Sequence, residues 1–239
     1  MSLQTAPIRL NPDAAVRSFF KDPEWRMKVA IGATINAVSI LVLFFSPVMF
    51  PVVVCMWAII AGYLLKVMRT SKSGDKLPEW RDWLELLISG LTWLAAFTGF
   101  FFAWISIPTV SIIWGANSGA TYAPNHPFLT WASSTFTITF CLGLFIHLIV
   151  TFLQANFAEE ERMPAAFALP KVMLRIRTRG GVLVQAWLLS IGLVSLSILV
   201  PIFTVIGAFL LPTTFFIAST ISAIMIGQAW AESSSQPMS

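Results

Sequence analysis

Apolar residues dominate this chain, and the charged ones fall into a few short stretches. Three long runs, 29–65, 86–158 and 180–231, contain no Asp, Glu, Lys or Arg. A helix needs roughly 20 apolar residues to cross a bilayer, so each run is sized for a helical hairpin that returns the chain to its starting side. The predicted fold is all-α: a polytopic membrane protein of about six transmembrane helices arranged as three hairpins. Spans are expected near 29–46 and 48–66, near 84–107 and 131–154, and near 182–203 and 206–230.

The connections follow from turn chemistry. Ser46-Pro47 through Pro51 breaks the first hairpin, where two prolines interrupt helical hydrogen bonding. The uncharged Gly, Asn and Pro segment from Pro108 to Thr130 reads as one sizeable external loop, and the third turn falls between Pro201 and Pro212. Asn11-Pro12-Asp13 has the order of an N-cap, a first-position proline and a first-turn acid, predicting a short helix from Pro12 to about Lys21. The domain reading is therefore an amphipathic N-terminal segment over 1–27, a membrane domain over 28–231 and a tail over 232–239. No cleavable leader is expected, since 28 mixed-charge residues precede the first apolar run.

Composition and charge refine this picture. Of the 239 residues, 57% are hydrophobic and only 11% charged, well below the roughly 25% of a soluble domain. A pI near 9.4 can signal nucleic acid, but the basic residues here flank spans, so nucleic acid is not an expected partner. The 15 Lys and Arg residues all lie in the three connections expected on one side, none in the intervening hairpin turns. The positive-inside rule then puts both termini in the cytoplasm, of a bacterial plasma membrane or a thylakoid. Cys55 and Cys141 sit in apolar runs without ligand spacing.

Two features bear on packing and surfaces. Small residues recur at Ala95, Gly99 and Ala103 and at Ser219, Ala223 and Gly227, a spacing that lets helices approach closely, inside the bundle or at a homodimer face. Lys171, Arg175 and Arg179 share one helical face, with Arg177 off it. An interfacial helix on anionic lipid is the preferred reading. A solvated connector neutralised by Glu159 to Glu161, or a protein-docking surface, are the alternatives.

One recurring word and several others carry a family resemblance. Asp22-Pro23-Glu24-Trp25-Arg26 returns almost unchanged at Pro78-Glu79-Trp80-Arg81, each copy opening a hairpin. Leu77-Pro78-Glu79-Trp80-Arg81-Asp82-Trp83, then Ala155-Asn156-Phe157-Ala158-Glu159-Glu160 with Ala165-Ala166-Phe167, then Ile226-Gly227-Gln228, resemble in order and spacing the bacterial and archaeal integral-membrane family catalogued as domain of unknown function 4013. The resemblance covers roughly residues 25 to 230. It implies a multi-helix membrane protein of unassigned activity, similar at a distance to membrane domains attached to some glycerophosphodiesterases. It brings no catalytic residues. The segment from Trp114 to Trp131 is longer than is usual in that family.

Candidate chemistry is sparse. No Walker, GxSxG, HExxH or dinucleotide word occurs, so neither catalytic residues, nor a metal site, nor a cofactor is expected. His147 is the one imidazole at membrane depth, either a haem or chlorophyll ligand, a proton relay, or simply an interhelical hydrogen-bonding group. Ser134, Thr137, Thr213 and Ser222 can line a polar path between the fourth and sixth spans, or back-bond to their own helices. The leading functional expectation is a non-enzymatic organiser that meets anionic lipid or a membrane-protein partner through its basic cytoplasmic face. The alternative is a channel or permease for a small neutral or lipid-like solute. An enzyme would have to gather Glu79, Asp82, Glu85 and Glu159.

Overall fold

The computed structural model describes residues 11–71, 76–117, 127–203 and 205–234. Among these residues the chain is helical throughout: α1 (Pro12–Lys21), α2 (Trp25–Phe45), α3 (Phe50–Thr70), α4 (Trp83–Asn117), α5 (Pro127–Glu160), α6 (Leu169–Ile202) and α7 (Val205–Ser234). Short 3-10 turns lie at Pro47–Met49 and Met163–Phe167. Six of the helices are long and apolar enough to span a bilayer. The first forms as its sequence predicts, with the Asn11 side chain accepting from the Ala14 N–H at 3.2 Å.

Helix α7 is the axis of the bundle. Over half of its apolar stretch is buried, 56% against 22–39% for the other five, and it packs on α1, α2, α3, α5 and α6. Its small residues explain this centrality, because they let neighbouring backbones come close where no hydrophobic drive operates between helices in lipid. Gly227 abuts the Met68 carbonyl and Ser71 of α3, and Phe216 covers Gly32 of α2 so closely that a Cβ there would overlap its ring. The α3–α4 pair is seated in the same way, Gly62 against the Leu86 backbone and Gly90 against the Ala58 carbonyl.

Three boundaries differ from the sequence expectation. The predicted loop from Pro108 to Thr130 is much shorter, since α4 continues through Pro108 to Asn117 and α5 starts at Pro127. At 1.5 Å per residue, 35 and 34 residues reach about 50 Å, well beyond the roughly 30 Å of hydrocarbon. Hydropathy cannot mark where such a helix ends, because it stays uncharged after leaving the core. A helix does form over the predicted interfacial stretch, as the first part of α6, set off from the following span by a kink at a non-helical Arg179 (φ −133°, ψ 26°). The first helix of the first hairpin begins at Trp25 rather than near 29, and its partner runs to Thr70.

The charged ends of the helices meet at one end of the bundle. Arg69 of α3 pairs with Glu85 of α4 and with Glu161 after α5, and Glu159 of α5 reaches α6 and α7. Asp82 and Glu161 take positive φ there, 56° and 54°, where the chain enters α4 and leaves α5. At Glu161 the backbone N–H closes onto the Phe157 carbonyl at 2.8 Å, the left-handed cap that satisfies a terminal helix carbonyl.

Candidate functional site

Between α3, α5, α6 and α7 lies a cavity of about 570 Å³. It comes from helices that meet tightly at the charged end without closing along their whole length. Apolar side chains such as Leu64, Phe140, Leu144 and Ile226 make most of its wall. No Asp, Glu, Lys or Arg stands among its lining residues, while His147, Gln154 and the hydroxyls of Ser190, Ser219 and Ser222 do.

His147 is the most distinctive group on that wall. The Trp187 indole Nε1–H donates to its Nδ1 at 2.8 Å, from α6 to α5. An indole nitrogen can only donate, so Nδ1 must offer its lone pair and the ring's proton sits on Nε2. This hydrogen bond fixes a neutral tautomer. It also runs against a metal-ligand role through Nε2, since ligating histidines donate their other N–H outward, the opposite polarity to the one here. The haem or chlorophyll reading is thereby disfavoured on geometry, and interhelical hydrogen bonding describes the residue better.

The hydroxyls are only partly gathered. Ser222 lies on the cavity and its Oγ donates to the Ser190 carbonyl at 3.5 Å, while the buried Ser190 Oγ has no hydrogen-bond partner among the described residues. Thr213 is half-buried on α7 away from the cavity lining, and Thr137 is exposed on α5. The side chain of Ser134 lies outside the described residues. Of the three described side chains, only Ser222 lines this cavity. Residues that pattern reading passed over, Ser190, Ser195 and Gln154, sit on the wall instead. Isolated polar residues inside apolar runs were their only available signal.

The two small-residue stripes part company. Ser219 and Ala223 line the cavity and Gly227 seats α7 on α3. Ala95 and Gly99 are exposed, a Cβ on Gly99 would meet nothing within 4 Å, and the Ala103 side chain lies outside the described residues. Cys55 and Cys141 are free and exposed.

The basic face is largely engaged. Lys171 pairs with Glu160 at 2.5 Å. Arg175 lies 3.5 Å from Glu159 and stacks its guanidinium 4.0 Å above the Trp230 ring, whose indole N–H donates to the same carboxylate at 2.9 Å. Arg177 is exposed, and Arg179 stands half-buried at the break in α6. In the 3-10 turn and the first turns of α6, Met163, Phe167, Leu169, Met173 and Leu174 are all exposed. The carboxylates considered for catalysis are dispersed: Glu79 pairs with Arg81, Glu85 with Arg69, and Glu159 with Arg175.

A second polar cluster is one that sequence reading missed. The two copies of the recurring word pack against each other through it. The buried Asp22 carboxylate accepts from the Glu24 N–H (2.8 Å), from Lys28 Nζ (2.8 Å) and from the Leu77 N–H (2.9 Å). Lys28 Nζ also donates to the Leu77 carbonyl, and the Trp80 indole N–H to the Lys28 carbonyl at 3.0 Å. Tyr63 stacks on Trp80 with centroids 4.0 Å apart and donates to the Pro78 carbonyl. Burial pushes the Asp22 carboxyl up, but the hydrogen bonds from Lys28, Glu24 and Leu77 and the Lys28 charge outweigh it and hold it below the ordinary carboxylate value.

The family described as Protein of unknown function (DUF4013) matches residues 40–212, the stretch from mid-α2 into α7 that carries most of the bundle. The chain belongs to this family. No curated protein and no solved structure matches it. Within the DUF4013 stretch fall His147, Trp187 and Ser190 of the cavity and Leu77 and Trp80 of the polar cluster. Asp22, Lys28 and Ser222 lie outside it.

Proposed function

We propose that this is a non-enzymatic membrane protein that takes a small neutral or lipid-like solute into the cavity between α3, α5, α6 and α7, acting as a permease or carrier. The observation that supports the reading is the cavity itself: about 570 Å³, mostly apolar, free of charged lining residues, with a few convergent polar groups. That combination suits small-molecule sites in general. The test is to purify the protein from its own host in mild detergent and analyse an organic extract beside that of Gly143→Leu, which puts a bulky, helix-favouring side chain at a residue lining the cavity. A neutral molecule near one per protein, lost in the variant, supports the proposal. Identical bulk lipid in both sinks it.

The organiser reading rests on a narrower surface than the one first drawn, because Lys171 and Arg175 are occupied by Glu160 and Glu159. What favours it is exposed Arg177 one turn from exposed Met173 on α6, a combination suited to anionic lipid or a membrane partner. Arg177→Gln with Arg179→Gln should then reduce co-purifying protein or anionic lipid; unchanged recovery counts against it. We place the charged end in the cytoplasm on the positive-inside rule.

A further inference from the structure

We infer that the cavity selects an uncharged, largely hydrocarbon molecule through a carbonyl oxygen that accepts a hydrogen bond from His147 Nε2–H. This rests on the cavity reading above and adds the chemistry of the guest. Three observations carry it. First, the wall holds no charged side chain to pair with an ionised group, and desolvating an unpaired ion costs far more than the few polar contacts there can return.

Second, one donor on the cavity wall is fixed. Trp187 occupies Nδ1 at 2.8 Å, so the neutral ring keeps its proton on Nε2, which has no partner among the described residues. A guest meeting that N–H must bring an acceptor. A cationic amine offers none, and an alkane leaves the donor unsatisfied. Third, two of the neighbouring hydroxyls donate into helix carbonyls, Thr151 to the His147 carbonyl at 2.7 Å and Ser222 to that of Ser190 at 3.5 Å. Among the described residues the imidazole is thus the one donor of this wall whose direction is set by a bond from another helix, whereas the Ser190 hydroxyl and the Gln154 amide can turn to donate or accept. Trp187 acts as a positioning residue, holding the tautomer and the ring plane through a bond between two helices. The ketone, ester and quinone carbonyls of membrane-soluble compounds fit this site, and carboxylates and amines do not.

The experiment uses the full-length protein in detergent micelles and two uncharged aromatic probes. One is 6-propionyl-2-(dimethylamino)naphthalene, whose emission moves to the red when its ketone accepts a hydrogen bond. The other is 2-(dimethylamino)naphthalene, which lacks the ketone. Both are excited through the protein's tryptophans and titrated to saturation. The expected result is tighter binding of the ketone by about five- to tenfold, the range for one net hydrogen bond. His147→Phe should erase that preference and shift the bound emission to the blue. His147→Gln, which restores an N–H donor, should recover part of both effects and guards against a merely structural loss. Equal binding of the two probes, with emission unchanged in His147→Phe, overturns the carbonyl inference while leaving the cavity reading standing. If neither probe binds saturably and Gly143→Leu changes nothing, both fall.

Discussion

Asp22 and Lys28 form a buried pair at the membrane boundary, side chains 1% and 5% exposed, held by backbone groups of a segment some fifty residues away. Removing one partner of such a pair leaves an uncompensated charge, a loss of about 3–5 kcal/mol. Asp22→Ala and Lys28→Ala should each lower the melting temperature in detergent substantially. Asp22→Leu combined with Lys28→Met should cost less than either alone, since no orphaned charge remains. The pH dependence has a definite sign. The folded carboxyl lies below its ordinary value of 3.8, so its stabilising contribution is complete above that value and is lost as pH falls through the lower folded one. Thermal melts between pH 3 and 7 should show this acid limb for the native chain. In Asp22→Asn the difference should flatten. In the sequence these residues read as a helix start and a flanking positive charge, because each stretch alone fits that role and nothing local marks the distant Leu77 as a partner.

At the scale of helices, glycines decide which faces meet. Gly62 and Gly90 bring α3 and α4 into backbone contact, and a Cβ on either would overlap a carbonyl of the facing helix. Gly62→Ala and Gly90→Ala should force the pair apart and cost about 1–3 kcal/mol, read as a fall in melting temperature. Gly99→Ala should be neutral or stabilising by up to about 1 kcal/mol, since its face is open and alanine favours helix. The outcome to be excluded is Gly99→Ala harming the protein more than Gly90→Ala. Spacing alone ranks these sites differently: Ala95, Gly99 and Ala103 make a longer stripe than Ala58 and Gly62. A small-residue stripe shows that a helix can be approached closely, not that another helix is there. The Arg179 break in α6 is similar. Basic residues at i+4 spacing before a Gly180-Gly181 pair indicated a helix, yet whether it turned into the span or continued with a kink depended on Glu159, Glu160 and Trp230 holding its first turns.

For the whole molecule, three helical hairpins with the charges at one end predict that a green fluorescent protein fused after Ser239 lights up in a bacterial host, as it folds only on the cytoplasmic side. A dark but fully expressed fusion would reverse the orientation argued from the basic residues. The number of long apolar helices and the gathering of charge at one end were legible in the sequence, because excluding ionised groups from hydrocarbon is a strong constraint that acts on each segment separately; that α3 packs more closely on α4 than on its predicted hairpin partner α2 was not. The family was legible as well, in words that recur at the helix starts and ends. The cavity was not. Its lining mixes residues from five helices, α3, α4, α5, α6 and α7, that no single run places together. The sequence by itself determined how many helices are long and apolar enough to cross a bilayer, since that follows from local solvation. Only the tertiary structure decided that α7 is the axis, that Asp22 is latched to Leu77, and that Trp187 holds His147 in one tautomer beside an uncharged cavity, because each depends on contacts between helices that lipid favours no more than its own.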